Sequence, residues 1–125
     1  MRSTRARLLG LFTLSVVTFG TEQVWAQADS VEFFESKVRP VLATHCISCH
    51  GPKAQKGGLR LDSREALLRG GESGPVIVEG DPESSLLIEA VAQTAEPKMP
   101  PKGKLADGVL DDLKNWVKQG APWPE

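Results

Sequence analysis

An all-α fold of about four short helices, joined by long glycine- and proline-rich loops, is what this sequence leads us to expect. Three observations carry that expectation. Apolar residues recur at helical spacing, as Val31, Phe34, Val38 and Leu42 near one end and as Val109, Leu110, Leu113, Trp116 and Val117 near the other. Helix start and stop signals punctuate the chain between them. The one β-branched run, Val76-Ile77-Val78, is too short to build a sheet.

Each element follows from its own residues. Ser30 suits the N-cap of a helix through Val38, and Pro40 should kink or end it, with another turn over Val41–Thr44. Gly51-Pro52 turns the chain, Lys53–Lys56 reads as a solvated loop, and Gly57-Gly58 breaks regular structure. Leu59-Arg60-Leu61 reads as extended. Asp62 or Ser63 should cap a helix to about Arg69, which Gly70-Gly71 ends. Asp81-Pro82-Glu83 reads as a helix start, with Asp at N-cap and Pro at N1; that helix carries Leu86, Leu87, Ala90 and Val91 inward and stops before Pro97. Three prolines keep Glu96–Pro101 irregular. The last helix should run from about Asp107 to Gln119, with Gly120 and Pro122 beyond its end.

The N-terminus has its own logic. Arg2, Arg5 and Arg7 precede an apolar run over Leu8–Phe19, and Val24-Trp25-Ala26 and Ala26-Gln27-Ala28 are small-x-small cleavage patterns. Residues 1–26 therefore read as a signal peptide, cut after Ala26 or Ala28, ahead of one domain over residues 29–125. Glu22 and Gln23 interrupt the run before it reaches the roughly 20 apolar residues of a membrane span. An uncleaved anchor facing the periplasm is the lesser alternative, and the only membrane link the sequence offers. Cleavage after Ala26 takes 26 of the 125 residues, with three arginines and Glu22, and leaves 99 residues carrying 12 basic and 15 acidic groups. That mildly acidic balance argues against nucleic acid as a partner, and along the sequence no charge cluster marks a docking patch. So small a domain makes a modest core.

The chemistry sits in Cys46-Ile47-Ser48-Cys49-His50. Cys-x-x-Cys-His is the attachment signature of c-type haem: two thiols form thioethers to one haem, and the adjoining imidazole serves as the proximal iron ligand. Cys46 and Cys49 are the only cysteines. A disulfide or redox dithiol is the plain alternative, but no βαβ pattern surrounds the pair. A zinc site would need His45 and His50 as well, and adjacent residues wrap one ion poorly. Export fits the haem reading, since an oxidising compartment would otherwise favour a Cys46–Cys49 disulfide.

For the distal ligand the candidate is Met99, the one methionine beyond the signal segment, 49 residues after His50 in a proline-stiffened loop. A lone methionine also serves as a core filler, and His45 is the rival ligand, though it shares the segment of His50. Arg60 and Arg64 are candidate partners of the haem propionates, and Trp116 a candidate haem contact; such residues are more often solvated charges and a core anchor. Trp123 either caps the domain or faces a neighbour. A His/Met pair fills both axial positions, so electron transfer is expected, with no catalytic residue.

Phe33–His50, Gly57–Gly71, Ser73–Glu79, Gly80–Ile88, Lys98–Lys104 and Trp116–Pro124 together resemble the planctomycete-type cytochrome c domain. The resemblance implies a small cytochrome c-like fold around one covalent haem c, with Cys46 and Cys49 as attachment residues, His50 proximal and Met99 distal. With the signal-peptide pattern and the His/Met pair, an exported, periplasmic electron carrier is expected, its redox partner proteins unknown. In that family the domain commonly leads longer proteins, so the chain is expected to be either free-standing or the front end of a split or truncated one. Ala106 departs from the family's usual Ser or Thr cap. A peroxidase-like or sensor protein with a dissociable Met99, and a degenerate interaction domain, remain the alternatives.

Overall fold

A computed structural model describes residues 21–124. Residues 1–20 of the expected signal segment lie outside the described residues, and Thr21–Ala26 open the first helix. The described residues form helices α1 (Thr21–Phe33), α2 (Arg39–His45), α3 (Arg64–Arg69), α4 (Leu86–Ala92) and α5 (Asp107–Lys118), with no strand among them. A π-helical turn over Phe34–Val38 joins α1 to α2, so four helical segments result, as expected.

That first segment corrects two expectations. Ser30 does not start a helix; its Oγ donates to the Gln27 carbonyl at 2.8 Å from inside α1. Pro40 does not end the helix either. Proline lacks an N–H and crowds the carbonyl four residues back. The widened turn accommodates it: the Arg39 N–H reaches back to the Phe34 carbonyl, and Pro40 sits in the first turn of α2. Phe34, Val38 and Leu42 thus stay on one face and are buried against α5 residues Leu113, Trp116 and Val117.

The smaller helices follow local chemistry. Ser63 caps α3 by accepting the Ala66 N–H at 3.2 Å. Gly70 ends it at φ 74°, where a Cβ would collide with the Gly74 carbonyl oxygen. The start of α4 differs from expectation. Asp81 accepts from Ser84 N and Oγ at 3.1 and 2.7 Å, but this closes an isolated turn, and α4 begins only at Leu86 behind Ser85. Buried Ser85 decides the boundary: its Oγ accepts from Val78 N at 2.9 Å and donates to the Asp81 carbonyl at 2.7 Å. Val76 and Ile77 enter the core without pairing as a strand.

α5 runs as the sequence indicates, over Asp107–Lys118, with Leu110, Leu113, Trp116 and Val117 buried. The tail folds back over it. Trp116 Nε1 donates to the Pro122 carbonyl at 2.8 Å, and the Trp123 ring centroid lies 4.5 Å from that of Phe34. Arg39 spans the edge of this cluster, 4.8 Å from the Phe34 centroid and 5.7 Å from that of Trp123. Trp123 therefore caps the core from within the chain.

Candidate functional site

Helix α2 runs directly into Cys46-Ile47-Ser48-Cys49-His50. The turn persists past the helix end: Cys46 N–H donates to the Leu42 carbonyl at 3.0 Å, Cys49 and His50 N–H to the Cys46 carbonyl at 3.1 and 2.9 Å. Residues three and four apart on a helical turn share a face, so Cys46, Cys49 and His50 are presented together. Gly51 follows because the backbone closes tightly there; a Cβ would collide with the Ile47 carbonyl oxygen. The next loop is then tied back, Lys56 N–H to the Cys49 carbonyl at 3.0 Å and Leu61 N–H to the His50 carbonyl at 2.8 Å.

These three residues form one wall of a half-open cavity of about 240 Å³. Leu59 and Leu61, Val76, the α4 residues Leu86, Leu87, Ala90 and Val91, and Leu105 make most of the remainder apolar. Met99 lies in the wall with Pro97, Pro100 and Pro101, in a loop fixed by the hydrogen bond from Met99 N–H to the Ala90 carbonyl at 2.9 Å. That carbonyl is near the C-terminal end of α4, where acceptors need partners from outside the helix. His45 reaches the same cavity.

The donor set is free to bind. Neither cysteine is in a disulfide. Burial pushes the Cys46 thiol up to about 11. His50 Nδ1 is buried without a hydrogen-bond partner, so nothing in the protein holds that nitrogen. Among the described residues no group of three or more His, Cys, Asp or Glu converges on a metal position, which leaves the zinc alternative without a site. Paired thiols, a neighbouring imidazole and a thioether around an apolar cavity suit a haem.

Arg60, Arg64 and Trp116 stand elsewhere, and none lines the cavity. Arg60 grips Asp62 through two nitrogens at 2.9 and 2.6 Å. Arg64 is paired with Glu79. Trp116 is spent on the core and on Pro122. Lys56, which sequence reasoning treated as a solvated loop residue, is the one charged residue that reaches the cavity wall.

A helical fold with Cys-x-x-Cys-His in the wall of an apolar cavity is what a cytochrome c-like domain requires. The model of the planctomycete cytochrome C family matches residues 46–103 of this chain. The match opens on the first attachment cysteine and closes just after the Met99 loop, so it takes in every cavity-lining residue but His45 and Leu105 and leaves α1, α2 and α5 outside. No curated protein and no solved structure matches the chain.

Proposed function

We propose that this chain is an exported c-type cytochrome with a single haem, carrying electrons one at a time. Cys46 and Cys49 hold the haem through thioethers, and His50 and Met99 supply the iron's nitrogen and sulfur ligands. One observation carries the reading: these four side chains, from two segments far apart in sequence, line a single apolar cavity. When bound, the haem supplies a reversible one-electron change at its iron.

The chain's own contribution is rigidity and an apolar setting. The α2 turn fixes the attachment residues, the proline loop fixes Met99, and the leucines and valines make most of the wall apolar. An apolar shell and a thioether ligand both favour the reduced state, raising the potential relative to a bis-imidazole site. With His50 and Met99 both holding the iron, no ligand position would stay open, which suits a carrier rather than an enzyme. The signal-like pattern of residues 1–26 supports delivery to the periplasm.

Expression alongside a c-type maturation system tests the reading. Haem should remain attached after denaturation, with the cytochrome in the periplasmic fraction. The oxidised spectrum should carry a thioether–iron charge-transfer band that Met99→Ala abolishes. Loss of haem on denaturation defeats the proposal, and an unchanged spectrum in Met99→Ala removes Met99 as ligand. His45 in the cavity wall favours one second reading, a peroxidase-like protein with a dissociable Met99, in which His45 would serve as the acid–base residue. Peroxide turnover by the wild-type protein, lost in His45→Ala, would select it.

A further inference from the structure

A haem carries two propionate carboxylates, and an apolar cavity receives them poorly. Burying a carboxylate without partners is costly, so the charged edge of the macrocycle needs a stretch of wall that offers donors. Most of this wall has none to give. Pro97, Pro100 and Pro101 lack an N–H, and the Met99 N–H is already donated to the Ala90 carbonyl at 2.9 Å. The α4 part of the wall is leucine, alanine and valine. Arg60 and Arg64, the candidates read from the sequence, lie outside the wall and are paired with Asp62 and Glu79.

The exception is a corner built from two glycine loops, residues 56–58 and 71–74. Their backbones interlock: the Glu72 N–H donates to the Gly57 carbonyl at 2.8 Å, and a Cβ on Gly71 would collide with that same oxygen. The bond from Lys56 N–H to the Cys49 carbonyl, 3.0 Å, ties the corner to the attachment turn. Lys56 and Ser73 both line the cavity and are both exposed, which places them at its mouth. Among the described residues Lys56 has no carboxylate within ion-pair distance, and the Ser73 N–H donates to no backbone carbonyl. Glu72, the acid of this corner, packs against Gly58 and is not part of the wall. His45, the other polar side chain of the wall outside the attachment motif, stands at the end of α2 next to Cys46.

We infer that Lys56 and Ser73 form the site that takes the haem's propionate carboxylates. The Lys56 ammonium supplies a point charge, and the Ser73 hydroxyl and N–H supply hydrogen-bond donors. The inference deepens the proposed function and rests on it.

Infrared titration of the haem-loaded protein with isotope-labelled propionates tests the site, because a nearby cation holds a carboxylate ionised to lower pH. Lys56→Gln should lower the acid constant of at least one propionate about threefold or more, and high salt should shrink the difference. Ser73→Ala should act in the same direction by less, and Lys56→Arg, which keeps the charge, should restore most of the wild-type titration. The neighbouring titratable groups His45, His50 and Glu72 carry no label and are present in every variant. A Lys56→Gln titration that matches wild type overturns the inference. So does an equal or larger shift in Arg60→Gln or Arg64→Gln, which would put the carboxylates outside this corner. Haem retention after denaturation reads out separately: a wild type that loses its haem defeats the proposed function and this inference with it, whereas retained haem with an unmoved titration defeats the inference alone.

Discussion

Among the described residues Ser85 is the buried polar side chain, only 1 % exposed, and its hydroxyl ties the Val78–Asp81 turn to the head of α4. Ser85→Ala leaves the Val78 N–H without its acceptor and the Asp81 carbonyl without that donor. We expect a loss of about 0.5–1.5 kcal/mol in chemical denaturation of the haem-loaded protein, the net contribution of a hydrogen bond. Asp81, in the same turn, predicts a pH dependence. Hydrogen bonds from the Ser84 side chain and backbone hold its carboxyl below the usual range. Arg60 does the same to Asp62, and Arg39 to Glu35. A depressed carboxyl stabilises the fold above its unfolded pKa of about 4, and that stability is lost as pH falls through the folded value. The melting temperature should therefore hold steady from neutral pH to about 5 and drop below about 4. Asp81→Asn should flatten that drop, and high salt should weaken the shares of Asp62 and Glu35, whose ion pairs are at the surface.

How far a helix was readable depended on whether its limits are set nearby. Ser63 and Gly70 act through contacts a few residues away, and α3 falls where they indicate. The periodic face of α5 is long enough that packing and local preference agree. Asp81-Pro82-Glu83 had every local mark of a helix start, yet a buried hydroxyl contacting Val78 moved the start to Leu86. Pro40 was misjudged as a possible stop because a π-helical turn can relieve a proline that a regular helix cannot. The three consecutive-turn residues Cys46, Cys49 and His50 were legible for the same local reason as α3, whereas the loss of Arg60 and Arg64 to Asp62 and Glu79 was not. α5 still begins on a weak cap: Ala106 has extended backbone angles, φ −58° and ψ 144°, but no side-chain oxygen to offer. Ala106→Ser supplies one to the exposed N–H groups of the first turn. It should stabilise the protein by about 1 kcal/mol in thermal or denaturant unfolding and leave the haem spectrum unchanged.

The largest scale joins the core and the cavity, neither of which any single segment displays. The cavity escaped sequence reasoning because its walls come from the attachment turn, α4 and the proline loop, which become neighbours only when the chain closes on itself. The same closure creates an energetic dependence. The core is one cluster running from Phe34 to Ala121, and the cavity is cut into its side by Leu61, Val76, Leu87, Val91 and Leu105, which are core residues as well as wall. A cavity of about 240 Å³, taken at ~24 cal/mol per Å³, corresponds to an upper figure of ~6 kcal/mol. A domain of this size has only about 5–15 kcal/mol in total, and the half-open mouth lets water offset part of that cost. On the proposed reading, a bonded macrocycle in the cavity would remove the deficit and would also tie the α2 turn to α4 and the Met99 loop. Chain produced without haem attachment, as in Cys46→Ala/Cys49→Ala, should therefore keep helical circular dichroism but bind a hydrophobic dye and melt without a sharp transition. The haem-loaded protein should melt cooperatively, at a temperature higher by about 15 °C or more, given 4–8 °C per kcal/mol in a domain of this length. A haem-free chain that unfolds as sharply and as late as the loaded one would show that the walls are held by the helices alone.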